Sequence, residues 1–331
     1  MLQVRAKTDD EPVLPLKTRF IAWWEGYDLS ALKHSRSADE PAQPPMPAPT
    51  PSPQHSPGGA VVAPANWKGG LDRHGLPLWS ATRIEVAEII WGNGFVTPGG
   101  ADYFPYLLKP LGLNPAMTVL DLSAGLGGST RAMAAQFGAW VTGMESSPEL
   151  ADAAMQRSIK AGMSKQASIQ LYDPEAFSYH RRVDAVFSKE AFVFVRNKNN
   201  LFDGIKDIIK AGGQVLFTDY VIERAELNNP AIKAWRDSER VEPTPCTVQE
   251  NVQRLELRGF DVRIAEDITE LHKSHITVAL QRLSSYLNDH HPDKETKKHV
   301  LNETDTWGRR ALALMSGLKC FRFYALNPNK E

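Results

Sequence analysis

The sequence predicts an α/β fold built on a doubly wound, mostly parallel sheet of seven strands, and three observations carry that prediction. From Pro77 onward, short runs rich in Val, Ile, Leu and Phe alternate with longer segments of helical periodicity, as strands do when crossover helices join them. One such run, MTVLDLS, passes directly into the glycine-rich AGLGGST and then into a helical segment. The chain before Leu76 differs in composition, so one domain is expected over 76–331. Within it, TRIEVAEIIWG and YFPYLLKPLG read as lead-in helices. MTVLDLS is the first strand and TRAMAAQFG the helix after it; WVTGME is the second strand and PELADAAMQRSIKAG its helix. SIQLYD and VDAVFS are the third and fourth strands, and LFDGIKDIIKAGG is a helix with a glycine stop. GQVLFTDY, DVRIAED and CFRFYALNP complete the sheet, with the helix TVQENVQRLELRGF between the first two.

Ahead of the domain, residues 35–75 are dominated by Pro, Ala and Ser with little to bury, which predicts a disordered linker. Residues 1–34 contain Phe20, Trp23, Trp24, Tyr27 and Ala31 at helical spacing, a short amphipathic helix on a tether. Its alternatives are folding back onto the domain, remaining disordered, or docking on a protein partner or a membrane surface. Lys and Arg total 38 against 39 Asp and Glu, so no basic surplus points to nucleic acid. Two cysteines, Cys246 and Cys320, are too few for a disulfide framework or a thiolate metal site. No signal peptide and no membrane-length apolar run stands out, and a cytoplasmic location is expected.

The chemistry concentrates in VLDLSAGLGGST. Gly125, Gly127 and Gly128 let the backbone turn sharply and approach a ligand that a side chain would block. Glu145 closes the second strand 20 positions after Gly125, where a carboxylate accepts hydrogen bonds from both hydroxyls of a ribose. A dinucleotide site calls for G-x-G-x-x-G, whereas the run here is D-L-S-A-G-L-G-G. Asp121 suits a cofactor that ends in an amino acid, because a carboxylate there orients an ammonium group directly or through water.

This pattern resembles motif I of class I S-adenosylmethionine-dependent methyltransferases, which implies S-adenosyl-L-methionine as cofactor and a Rossmann-like methyltransferase fold. The resemblance extends Asp121, Ser123, Glu145 and Ser146 into a cofactor site. Asp173 and Pro174 join it at the adenine, and Ser188 and Lys189 after the fourth strand. GFVTPGG, VLDLSAGLGGST, LFTDYV and TVQENVQRL stand in the order found in phosphoethanolamine methyltransferases, over roughly Gly94 to Leu257. The match implies that Thr97, Pro98 and Gly99 touch the methionine end, and that a helical lid lies around 222–246. A lid would keep water from the methyl donor.

On the acceptor side the sequence departs from that group. The group's paired tyrosine and histidine align with Phe95 and Phe194, neither of which takes a proton. Glu190 stands where the group carries a carboxylate facing the substrate amine, and Tyr220 of T-D-Y is retained; these two are the catalytic candidates. Proton acceptors open to the site are Glu190, Asp219, His272 and His275. The two histidines in ELHKSHITV have no evident third ligand, so no metal is assigned, and His290 and His291 read as exposed and inert. The expected activity is methyl transfer to a small-molecule or lipid-like acceptor. The alternatives are a cofactor-binding but silent interaction module and a nicotinamide (NAD)-dependent oxidoreductase.

Overall fold

The computed structural model describes residues 69–328; the expected tethered helix over 1–34 and most of the expected linker over 35–75 lie outside the described residues. Seven strands form one sheet: β1 (Thr118–Asp121), β2 (Trp140–Glu145), β3 (Ala167–Leu171), β4 (Val183–Lys189), β5 (Ile209–Ile222), β6 (Asp261–Asp267) and β7 (Leu318–Leu326). Their order across the sheet is β3-β2-β1-β4-β5-β7-β6. The first five pair in parallel, while β7 runs antiparallel to both of its neighbours. The helices are α1 (Ala81–Trp91), α2 (Gly100–Leu108), α3 (Gly128–Phe137), α4 (Pro148–Lys160), α5 (Lys198–Ile208), α6 (Pro230–Ser238), α7 (Val248–Glu256), α8 (Thr269–Asp289) and α9 (Lys294–Met315).

The central strands are apolar runs because helices cover both faces of a parallel sheet. On one face Leu201, Phe202 and Ile205 of α5 join Phe192 and Phe217 in a buried cluster, with the rings of Phe202 and Phe217 5.8 Å apart. Each such side chain, fully buried, stabilises the fold by about 1.5–3 kcal/mol. The other face packs against α2, α1 and α9, where Trp91 and Trp307 meet edge to face at 4.6 Å.

Two stretches differ from the sequence reading. The helix expected over LFDGIKDIIKAGG stops at Ile208, and Ile209 already belongs to β5. The C-terminal strand makes the difference: Gly212 N–H donates to the Asn327 carbonyl at 2.7 Å, and the Asn327 amide donates to the Lys210 carbonyl at 2.8 Å. Long-range pairing overrides local helical preference there. Residues 268–317, for which the sequence suggests no element, fold as the antiparallel pair α8 and α9 between β6 and β7. Their buried stripes mix charge with apolar residues, which hides the period. Glu303 and Arg310 of α9 are buried in ion pairs with Arg83 at 2.7 Å and Glu239 at 2.5 Å.

In the stretch expected to form a lid, a 3-10 turn over Arg224–Asn228 leads into α6, whose Ile232 and Trp235 are fully buried. No helix among the described residues is long and apolar enough to cross a membrane.

Candidate functional site

The carboxyl ends of β1, β2 and β4 meet at the glycine turn between β1 and α3. Gly125 and Gly127 have φ of 54° and 76°, backbone that a residue with a Cβ adopts only under strain. A Cβ on Gly128 would come within 2.4 Å of the Gly94 carbonyl, and one on Gly125 within 2.8 Å of Val96. The turn is glycine-rich because the strap from Gly94 to Gly99 lies directly on it. Gly128 N–H donates to that same Gly94 carbonyl at 2.9 Å. At the end of the strap Pro98 is buried, and Gly99, at φ 102°, caps α2 in the left-handed conformation.

Glu145 folds back toward the turn from the end of β2. Its Oε2 accepts from Gly125 N–H at 2.8 Å, and its Oε1 accepts from the N–H groups of Ser146 and Ser147, each at 2.8 Å. Burial raises its pKa to about 7, against the opposing pull of those backbone donors. Asp121 is turned inward. Its Oδ2 accepts from Ser129 Oγ at 2.6 Å and Thr130 Oγ1 at 2.9 Å, and its Oδ1 accepts from Ser123 N–H at 3.1 Å. With no exposed surface, it braces the turn against the first turn of α3, and burial raises its pKa. Ser123, in turn, accepts from Lys189 N–H through its hydroxyl at 2.7 Å, joining the β1 turn to β4.

A narrow cleft lies between strap and turn, lined by Phe95, Thr97, Phe104, Ser123, Gly125 and Lys189 among others. Thr97 accepts from Lys189 Nζ at 3.2 Å across it. Asp173 and Pro174 stand one strand farther out, half-buried, where the Asp173 side chain accepts from Glu175 N–H at 2.9 Å. The Ser188 hydroxyl is buried with no hydrogen-bond partner.

Beyond Lys189 the structure assembles a second group that the sequence scatters. Lys189 Nζ lies 2.5 Å from Glu190 Oε1, and both side chains are buried. Burial pushes the Glu190 pKa up, but Lys189 and His272 favour the ionised form and the net shift is downward. His272, from α8, sits 3.5 Å from Glu190 Oε1 through Nδ1, and its Nε2 is 2.7 Å from the Tyr220 hydroxyl. Burial holds this imidazole neutral, with a pKa lowered to about 4. Arg310 of α9 lies over the Tyr220 ring at 5.4 Å. Phe95 and Phe194 belong to the same apolar cluster as Tyr220.

Tyr220 and Glu190 are thus brought together, and His272, which the sequence offers only as one of several proton acceptors, completes their contact. Of the other acceptors, Asp219 faces Val193 N–H at 3.1 Å, with its pKa raised to about 7 by burial, and His275 packs against Tyr103. His290 and His291 are exposed. Glu190, His272 and Cys320 offer ligand-type atoms within 4.8 Å of one another, but the Lys189 ammonium on Glu190 shares that space and disfavours a cation.

The family model for mycolic acid cyclopropane synthetase matches residues 102–286, more than half of the chain. The chain belongs to this family. Among its relatives, phosphoethanolamine N-methyltransferase 1 of Zea mays is 32% identical over 143 residues, 43% of this chain and 28% of that protein. This chain covers between 28% and 36% of the length of the maize, Arabidopsis thaliana and Caenorhabditis elegans relatives that it matches. Phosphoethanolamine N-methyltransferase 2 of Haemonchus contortus, solved with S-adenosyl-L-methionine, shares the fold with a TM-score of 0.65 and 22% identity over 74% of this chain and 57% of that one. The cyclopropane synthase MmaA2 of Mycobacterium tuberculosis does so with a TM-score of 0.62 and 15% identity over 75% and 94%. The seven-stranded sheet with its flanking helices is the Rossmann-like methyltransferase fold, as the sequence predicts. The nicotinamide and silent-module alternatives are not favoured.

Proposed function

We propose that the chain binds S-adenosyl-L-methionine across the glycine turn and transfers its methyl group to a small-molecule or lipid-like acceptor. The single observation that carries this reading is Glu145 beside Gly125 at the edge of the sheet. A buried carboxylate with lone pairs to spare faces a turn where backbone, not side chain, forms the wall. The residues present fit the cofactor. Glu145 would hold the ribose hydroxyls and Ser146 would flank them. Asp173 and Pro174 would border the adenine, while Thr97, Pro98, Gly99, Ser123, Ser188 and Lys189 would surround the amino-acid end. Asp121, turned inward, would shape Gly125, Gly127 and Gly128 for that contact, reaching the ammonium only through its neighbours.

Bound there, the cofactor supplies an electrophilic methyl group on a sulfonium. The protein's part is to align an acceptor and exclude water, and alignment alone supplies much of the rate of such a transfer. Glu190 and Tyr220, with His272 behind them, would face the acceptor. The stretch 222–246, with α6, would act as a lid at the same end. Two cysteines, both free and buried, support a reducing cytoplasm. The aromatic segment within residues 1–34 is a candidate for docking on a protein partner or a membrane surface, and deleting residues 1–65 should alter partner capture while leaving cofactor affinity unchanged.

Calorimetry tests the central reading. The chain should bind S-adenosylmethionine and S-adenosylhomocysteine but not NAD, and Glu145→Ala should weaken both by roughly 100-fold, the loss of two hydrogen bonds to a charged group. Unchanged binding of S-adenosylhomocysteine by Glu145→Ala would remove the basis of the assignment.

A further inference from the structure

Two buried ion pairs stand beside the cleft. Lys189 lies against Glu190 and Arg310 against Glu239, each pair at 2.5 Å and all four side chains more than nine-tenths buried. The two histidines that face Glu190, His272 and His275, are both shifted by burial toward the neutral form. A phosphate entering this space finds no unpaired cation, and a protonated amine meets the Lys189 ammonium beside the carboxylate it would seek.

The buried polar atoms without a partner around these pairs include Glu190 Oε2, the Tyr103 hydroxyl and His275 Nδ1. Buried polar atoms are nearly always satisfied, so these mark places for a group from outside the chain. A carboxylate oxygen only accepts, so it calls for an incoming O–H or N–H. The walls are aromatic: Phe95 and Phe104, 5.3 Å apart, share a cluster with Tyr103, Tyr220 and Phe194.

From this geometry we infer that the acceptor is an uncharged molecule presenting a hydroxyl group on an apolar body, its O–H directed at Glu190 Oε2 and its body against the phenylalanines. This inference rests on the methyl-transfer reading and narrows it to an oxygen nucleophile. The electron balance is simple. The acceptor oxygen forms the new bond to the methyl carbon with a lone pair, the pair of the breaking S–CH₃ bond stays on sulfur, and the O–H proton passes to Glu190. A carboxylate held ionised by Lys189 is a weak base. It does not strip an alkylammonium, whose pKa is about 10, but it takes the proton of a methylated oxygen, which is a strong acid.

The test is calorimetric and uses the full chain saturated with S-adenosylhomocysteine. Two neutral hydroxyl probes, 4-butylphenol and 1-decanol, are compared with ethanolamine and phosphoethanolamine. At least one hydroxyl probe should bind tenfold or more tightly than either amine. Lys189→Met, which unpairs Glu190, should reverse the order by raising ethanolamine affinity at least tenfold. Phosphoethanolamine binding as well as the hydroxyl probes, no binding by any probe, or no gain for ethanolamine in a Lys189→Met chain that still melts cooperatively would each overturn the inference. Failure of the parent chain to bind S-adenosylhomocysteine in the first titration would instead defeat the methyl-transfer reading beneath it.

Discussion

Replacing Glu145 by Gln isolates the energetic consequence of burying a carboxylate at the proposed cofactor corner. An exposed Glu releases its proton near 4.5, whereas Glu145 in the folded chain retains it to about 7. Between those values the folded state binds more protons than the unfolded one, so this group's contribution to stability is complete below pH 4.5 and is lost as pH rises through about 7. A shift of this size corresponds to about 3 kcal/mol. Gln has no such titration, though its amide meets Gly125 N–H donor to donor and adds a penalty that does not depend on pH. The difference in unfolding free energy between the parent chain and Glu145→Gln should therefore move by about 3 kcal/mol in favour of the variant from pH 4.5 to pH 8. Urea denaturation of both chains across that range measures it, and other titrating groups cancel in the difference. Affinity should run the other way, since ribose hydroxyls prefer an ionised acceptor: the parent's dissociation constant for S-adenosylhomocysteine should rise about tenfold from pH 8 to pH 6, and the variant's should stay flat. A stability difference independent of pH would refute the reasoning, because it would mean that Glu145 is not desolvated.

Three further outcomes follow from the same geometry. His272 has the opposite sign: its pKa falls to about 4, so its neutral burial contributes stability that is lost as pH drops from about 6.5, and His272→Gln should remove about 3 kcal/mol of that acid dependence in parallel denaturation series. Arg310→Met leaves Glu239 buried and unpaired, which should cost about 3–5 kcal/mol in urea unfolding, while the double variant with Glu239→Gln recovers part of that loss. Gly128→Ala drives a Cβ to 2.4 Å from the Gly94 carbonyl; it should lower stability by about 1–3 kcal/mol and weaken cofactor binding by displacing the strap, and a thermal melt with a matching titration reads both.

The contact of Glu145 with the glycine turn, the proposed cofactor corner, was legible in the sequence because its determinants are local. A glycine turn is written in consecutive residues, and the acid at the end of the next strand follows at a spacing set by one crossover helix. The acceptor side was not. Tyr220 and His272 meet at 2.7 Å although 52 positions separate them, and nothing in ELHKSHITV distinguishes a histidine on that contact from one in an ordinary core. The α8 and α9 pair escaped the period for a related reason: Glu303 and Arg310 occupy buried positions where a helix normally shows apolar residues, and only their partners on other elements explain them. The β5 boundary shifted because a strand from the C-terminus pairs with it.

The junction of the two halves lies in one dipeptide. Neighbouring side chains on a strand point to opposite faces, so Lys189 and Glu190 should not touch if both continued β4. They meet at 2.5 Å because β4 ends at Lys189 and Glu190 turns to φ 56°, the one non-glycine residue at positive φ among those described. That conformation costs about 1–2 kcal/mol for a residue with a Cβ. The Glu190 N–H still donates to the Thr218 carbonyl at 2.7 Å, so the turn remains tied to β5. Lys189 reaches the strap through Thr97, and Glu190 reaches α8 through His272. A glycine at 190 would relieve the backbone, but it would leave a buried ammonium unpaired beside a cationic methyl donor. The strain therefore persists because the charge balance of the proposed cofactor and acceptor sites depends on the side chain that bears it.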